Sequence, residues 1–143
     1  MALRLSTGSR TQLAGTGGLK ALFNNGFLDL YTGGQPASAD YAETGSKLLR
    51  VLVAGTGGVK FGTAAAGILP KSAETWNGTV AVAGVAGYFR LYGTDGTTGT
   101  STTERRIDGN VGVSGSDLEL SNTTLVAGAT VTIDSFSLEV PAS

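Results

Sequence analysis

Tyr88, Arg90 and Tyr92 stand at alternate positions, so in an extended chain their side chains leave one face together while Phe89 and Leu91 take the other. Phenols and a guanidinium in one row suit interfaces, sugar platforms and base stacking alike. Three readings are open: a face covered by the chain's own loop or helix, an interface with another subunit, or a glycan or nucleic-acid platform.

Other groupings carry weaker chemistry. Ala14-Gly15-Thr16-Gly17-Gly18-Leu19-Lys20 and Ala54-Gly55-Thr56-Gly57-Gly58-Val59-Lys60 resemble phosphate cradles but lack the Walker spacing and its Lys-Ser/Thr ending, and read as turns. Asp117 and Glu119 share one side of a strand, a spacing common on wet sheet faces as well as in general acid and base pairs. Asp108-Gly109-Asn110 starts like a calcium loop, yet the later ligands do not follow, and Asp-Gly predicts a hairpin turn. With no His to activate a serine and no Gly-x-Ser-x-Gly elbow, no catalytic residue, cofactor site or metal site is assigned, and the chain reads as a non-enzyme.

The elements that must position these groups are strands. The 143 residues fit one domain, and 23 glycines, 3 prolines and many threonines favour tight turns and β-branched faces over long helices. Ten basic against eleven acidic side chains leave no surplus for phosphates or an anionic membrane, so neither nucleic acid nor membrane is an expected partner. The absence of cysteine fits a reducing cytoplasm, and the first residues carry no apolar export signal.

Residues 1–26 read as an N-terminal arm with a short helix over about Gly18–Asn24, because Gly15, Gly17 and Gly18 each cost about 1 kcal/mol relative to Ala. Ser6, Thr7 or Ser9 could supply the N-cap of the longer helical face that Leu13, Leu19, Leu22 and Phe23 would share, and Asn25-Gly26 its end. Residues 27–143 form the second unit. There Phe27–Tyr31 is the first strand, Lys47–Val53 a central one, and Thr79–Val82 and Gly87–Tyr92 follow, with Trp76-Asn77-Gly78 as a turn and 97–103 as an exposed, mobile loop.

Toward the C-terminus Val111, Val113, Leu118, Leu120, Val131, Ile133, Phe136, Leu138 and Val140 alternate in short runs and are the predicted core. Their parity reverses near Asp134-Ser135, which requires a one-residue bulge there or a strand that crosses between sheets at a corner. The fold expected is all-β, an antiparallel sandwich, jelly-roll-like, with an N-terminal arm or short helix.

Several blocks resemble a family of small virion structural proteins of tailed bacteriophages. They are Leu30-Tyr31-Thr32-Gly33-Gly34-Gln35-Pro36-Ala37-Ser38-Ala39-Asp40, Gly45-Ser46-Lys47-Leu48-Leu49, Tyr88-Phe89-Arg90-Leu91, Asp108-Gly109 with Val111-Gly112-Val113, Asp117-Leu118-Glu119-Leu120-Ser121-Asn122, and Val126-Ala127-Gly128 leading to Phe136-Ser137. The resemblance spans most of residues 27–140. It departs in the Gly-rich N-terminal segment and the Thr-rich loop at 97–103.

The resemblance implies a capsid decoration, or cement, protein made in the host bacterial cytoplasm and carried on the capsid surface. Its partners would be the major capsid protein and itself, as a homotrimer. The candidate interface is Leu3, Leu5 and Arg10 of the arm together with Tyr88, Arg90 and Tyr92. The alternatives are a neck, tail or fibre component, or a carbohydrate-binding β-sandwich module using the same aromatics or Trp76.

Overall fold

The computed structural model describes residues 3–15, 18–54 and 57–139. The protein is an all-β, antiparallel sandwich with short helices at its N-terminal end. In chain order the elements are β1 (Arg4–Leu5), α1 (Thr7–Gly15), α2 (Leu19–Phe23), β2 (Phe27–Thr32), β3 (Lys47–Val53), β4 (Ile68–Pro70), β5 (Trp76–Thr79), β6 (Gly84–Tyr92), β7 (Arg106–Gly112), β8 (Leu118–Glu119), β9 (Thr124–Leu125), β10 (Thr130–Ile133) and β11 (Ser137–Glu139).

The main sheet runs β1-β7-β6-β2-β3-β5-β10, with β9 added beside the start of β6 and β8 parallel to the end of β7. Alternation on its middle strands sends Leu28, Leu30, Leu49, Val51, Phe89, Leu91 and Ile107 to one face, all nearly solvent-free. Against that face lies a second layer built from the β4–β11 ribbon and the segments around it, which supplies Phe61, Leu69, Phe136 and Leu138. Phe136 meets Phe89 edge-on at 5.3 Å between ring centres, and Phe61 meets Trp76 the same way at 5.3 Å.

The parity reversal near Asp134 is a corner. β10 pairs with β5 up to Ile133↔Trp76, the chain leaves the main sheet, and β11 resumes against β4 at Ser137↔Pro70. Ile133, Phe136 and Leu138 are all buried as a result. Val113 is a correction to the expected core: β7 ends at Gly112, whose carbonyl accepts from the Leu120 N–H, and Val113 falls in the following turn, 63% exposed. Val131 is half-buried on the edge strand, and Val140 lies outside the described residues.

Two expected turns are strands. Trp76-Asn77-Gly78 belongs to β5, where a side chain at Gly78 would overlap the Arg50 carbonyl oxygen, so the glycine permits close approach of backbones. Asp108-Gly109 lies within β7, with Gly109 under the Phe89 ring. Regular structure ends at Thr79, and Val80 is instead held by backbone bonds with Gly128 and Ala129.

The N-terminal stretch is built into the sandwich. β1 extends the main sheet through Arg4↔Asp108 and Leu5↔Ile107, and Leu22 and Phe23 of α2 enter the core. α1 forms despite its glycines because Ser6 caps it, its hydroxyl accepting from the Ser9 N–H at 3.1 Å, while Asp40 accepts from the Thr7 N–H at 2.7 Å. Asn25, with φ of 67°, terminates α2.

Candidate functional site: a charge ladder beneath two covering segments

The second face of the main sheet is polar. At one level across five adjacent strands the direct cross-strand neighbours are Arg4, Asp108, Arg90, Asp29 and Arg50, so charge alternates along the row. Asp108 takes Arg90 in a two-pronged bond, Nε to Oδ1 at 2.6 Å and Nη2 to Oδ2 at 2.8 Å, with both side chains fully buried. Asp29 takes Arg50 in the same way at 2.8 and 3.0 Å, and the Arg50 guanidinium lies 3.8 Å over the Phe27 ring.

Such pairs add little net stability over an apolar replacement, because desolvation offsets the attraction. What they fix is register. A slip of one residue would turn Asp29, Arg90 and Asp108 into the apolar core.

Aromatic rows flank the ladder. Tyr31 stacks on Tyr88 at 4.9 Å, Phe27 on Tyr92 at 4.7 Å, and the Tyr31 and Tyr92 hydroxyls share a hydrogen bond of 2.8 Å. Burial pushes both phenols well above the ordinary tyrosine value. For Arg90 burial favours the neutral form, but the bonds and charge of Asp108 outweigh it and hold the guanidinium charged.

Two irregular segments cover this face, residues 33–46 and 97–104. Glu43 of the first reaches down: Oε1 accepts from Arg90 Nη1 at 3.0 Å and from the Tyr92 hydroxyl at 2.8 Å, and Oε2 accepts from the Gly99 N–H at 2.9 Å. Burial alone would raise its carboxyl; those donors reverse the effect and hold it below the ordinary carboxylate value. The Tyr88 hydroxyl donates to the Thr44 carbonyl at 2.7 Å and accepts from the Thr44 N–H at 2.9 Å. Arg106, also fully buried, reaches the Thr97 carbonyl at 2.9 Å and Glu104 at 3.4 Å, and its Nε–H has no partner among the described residues.

The predicted site residues therefore divide. Tyr88, Arg90 and Tyr92 are fully buried, so they pack under the chain's own loops and present no open platform; Trp76 is buried too, which removes the aromatic surface a glycan-binding reading needs. Leu3 and Leu5 are half-buried and line an apolar groove of about 270 Å³ with Leu13, Leu19, Ile107 and Leu138. Arg10 is exposed on α1, donating to Thr7 Oγ1.

Asp117 and Glu119 are engaged structurally. Asp117 exchanges hydrogen bonds with Asn110 at 2.9 and 3.2 Å, and Glu119 accepts from the Gly115 N–H at 2.7 Å. The two Gly-Thr-Gly-Gly stretches lie partly outside the described residues. The Thr-rich loop is exposed at most positions, though Gly99 and Ser101 are half-buried where they bond Glu43 and Asp40.

Asp29, Glu43, Arg50 and Arg106 were not singled out by sequence, and Asp108 was read as part of a hairpin turn. For Asp29, Arg106 and Asp108 the signal was the alternation itself, since Phe27, Asp29 and Tyr31 share a parity, as do Arg106, Asp108 and Asn110, whereas Glu43 stands in an irregular segment that carries no such period. Among known proteins, no family model, curated protein or solved structure matches this chain.

Proposed function

We propose that this chain is a non-enzymatic structural protein of a tailed-bacteriophage virion, a jelly-roll-like capsid decoration protein that binds the outer surface of the head as a homotrimer. The block resemblance across residues 27–140 supports the virion reading. The observation that carries the binding role is a pair of apolar surfaces that no described residue covers, at opposite ends of strand β6.

One surface is the groove around Leu3, Leu5, Leu13 and Leu19, beside Ile107, which pairs with Leu91 near the end of β6. The other surrounds the start of β6, where Val82, Val85 and Val126 are about half exposed or more around the Gly84↔Leu125 pairing. Val85 and Leu91 are separated by roughly 20 Å of strand. A β body with exposed apolar groups at two ends of a central strand is suited to hold two neighbours together, adding to shell stability by mass action.

Co-sedimentation of the recombinant protein with mature and with immature heads tests this. Saturable binding to mature heads, weakened at least tenfold by Leu5→Glu or Val126→Asp, supports the proposal; binding to neither form, or variants that bind like the parent, contradicts it. Copy number separates the neighbouring reading. Hundreds per virion by quantitative mass spectrometry fit decoration, and a few dozen or fewer fit a neck, tail or fibre part.

A further inference from the structure

Residues 33–46 form a closed loop rather than a connection under tension. Its ends meet at Thr32 and Ser46, where the Thr32 N–H donates to the Ser46 carbonyl at 3.0 Å and the Ser46 N–H donates to Thr32 Oγ1 at 2.9 Å. Just inside this staple stand Gly33 and Gly45, with φ of 80° and 73°, a conformation that favours glycine and lets the chain reverse at each end. The loop can therefore move without unzipping β2 from β3.

Its attachment to the sheet is almost wholly polar. Glu43 bonds Arg90, Tyr92 and Gly99; Thr44 bonds Tyr88; the Tyr41 carbonyl accepts from Arg90 at 2.9 Å; the Pro36 and Ala37 carbonyls accept from Arg4; Asp40 holds Thr7. Pro36 and Ala39 are its buried apolar contacts, while Tyr41 points outward at 56% exposure. Little apolar area holds the loop down, which is the character of a segment that opens locally.

The ion pairs and the tyrosine pair beneath do not depend on the loop, although the Tyr88 hydroxyl has its bonds with Thr44 of the loop. Arg90 keeps both prongs on Asp108, Asp29 keeps Arg50, and Tyr31 keeps Tyr92. Removing Glu43 leaves three convergent donors, Arg90 Nη1, the Tyr92 hydroxyl and the Gly99 N–H, in the arrangement that now grips a carboxylate. We propose that this cradle is a carboxylate-recognition site occupied in cis by Glu43, and that residues 33–46 are a hinged strap that lifts as a unit to admit an acidic side chain of a partner protein. The trio Tyr88, Arg90 and Tyr92 is then a covered interface. This holds wherever the protein acts, because it stands on contacts within the chain.

Hydrogen exchange read by mass spectrometry on the full chain, with Glu43→Gln beside the parent, tests the strap. In the parent the amides of 34–45 should exchange at least tenfold faster than those of β2, β6 and β7, and in Glu43→Gln at least tenfold faster again while the strands are unchanged. A synthetic peptide of residues 34–45 tests the cradle: it should bind the Glu43→Gln protein saturably, and the same peptide with Gln at the Glu43 position should bind at least tenfold more weakly. Strap and strand amides exchanging together in both proteins, strand protection lost along with the strap in Glu43→Gln, or equal binding of the two peptides would each overturn the proposal.

Discussion

Arg90 and Asp108 face each other across β6 and β7, joined by bonds of 2.6 and 2.8 Å with both side chains fully out of water. Arg90→Met strands the Asp108 carboxylate in the interior and should cost about 3–5 kcal/mol in urea unfolding. Arg90→Met with Asp108→Leu should recover most of that loss, because paired apolar groups carry no uncompensated charge. A double variant no better than the single one would show that the pair contributes net stability.

Stability should fall on both sides of neutrality, for opposite reasons. Burial raises the carboxyls of Glu43 and Glu104, but Gly99 and Tyr92 at the first, and Thr97 and Arg106 at the second, bring both below the ordinary 4.5. As pH falls below about 4.5 the unfolded chain takes up these protons first, so their contribution is present above that value and lost on acidification. Asp108, shifted up chiefly by burial, offsets part of the loss. Urea midpoints at pH 7, 5 and 3.5 that do not decline would contradict this assignment.

On the alkaline side burial raises the phenols of Tyr31, Tyr88 and Tyr92 above the ordinary 10.0. The folded chain then holds protons the unfolded chain releases, so stability present below pH 10 is lost as pH rises. In a spectrophotometric titration these tyrosines should ionise together with unfolding. Smooth ionisation of all tyrosines in a chain that stays folded would show the face to be open.

Backbone proximity makes a sharper structural test. A side chain at Gly87 would overlap the Gly33 carbonyl oxygen, whereas one at Gly34 meets nothing within 4 Å. Gly87→Ala should lower stability by about 1–3 kcal/mol and Gly34→Ala leave it within about 0.5 kcal/mol. Equal effects would mean that the loop base does not lie against β6.

Trp76 is the sole tryptophan, fully buried between Phe61 and Phe136. Its emission should be blue-shifted, unquenched by iodide, and red-shifted in step with loss of β-sheet circular dichroism. Iodide quenching in the folded protein would place the indole at the surface, as a sugar platform requires.

How far the sequence carried this picture varied with the kind of signal. Lys47–Val53 is legible because a long apolar run between glycines has few other uses, and the strand has the same bounds. Asp108-Gly109 and Trp76-Asn77-Gly78 misled because their glycines serve close approach within strands, to Phe89 and to the Arg50 carbonyl, and those partners are distant in sequence. α1 was hidden because Gly15, Gly17 and Gly18 confined the expected helix to about 18–24; Ser6 was a legible cap, but Asp40, which accepts from the Thr7 N–H, comes from a distant segment. For Tyr88, Arg90 and Tyr92 the shared face was readable and a covering loop was among the readings, but which segment supplies it was not, because irregular polar segments carry no periodic mark of what they lie upon.

The most direct test of the central proposal is a cryo-electron microscopy map of the virion that carries this chain. The account predicts three copies of the sandwich around local threefold positions on the outside of the head, with the Leu3–Leu5 groove or the Val82–Val126 end against the major capsid protein. Density for the chain in the neck, tail or fibres, or its absence from the particle, would contradict it.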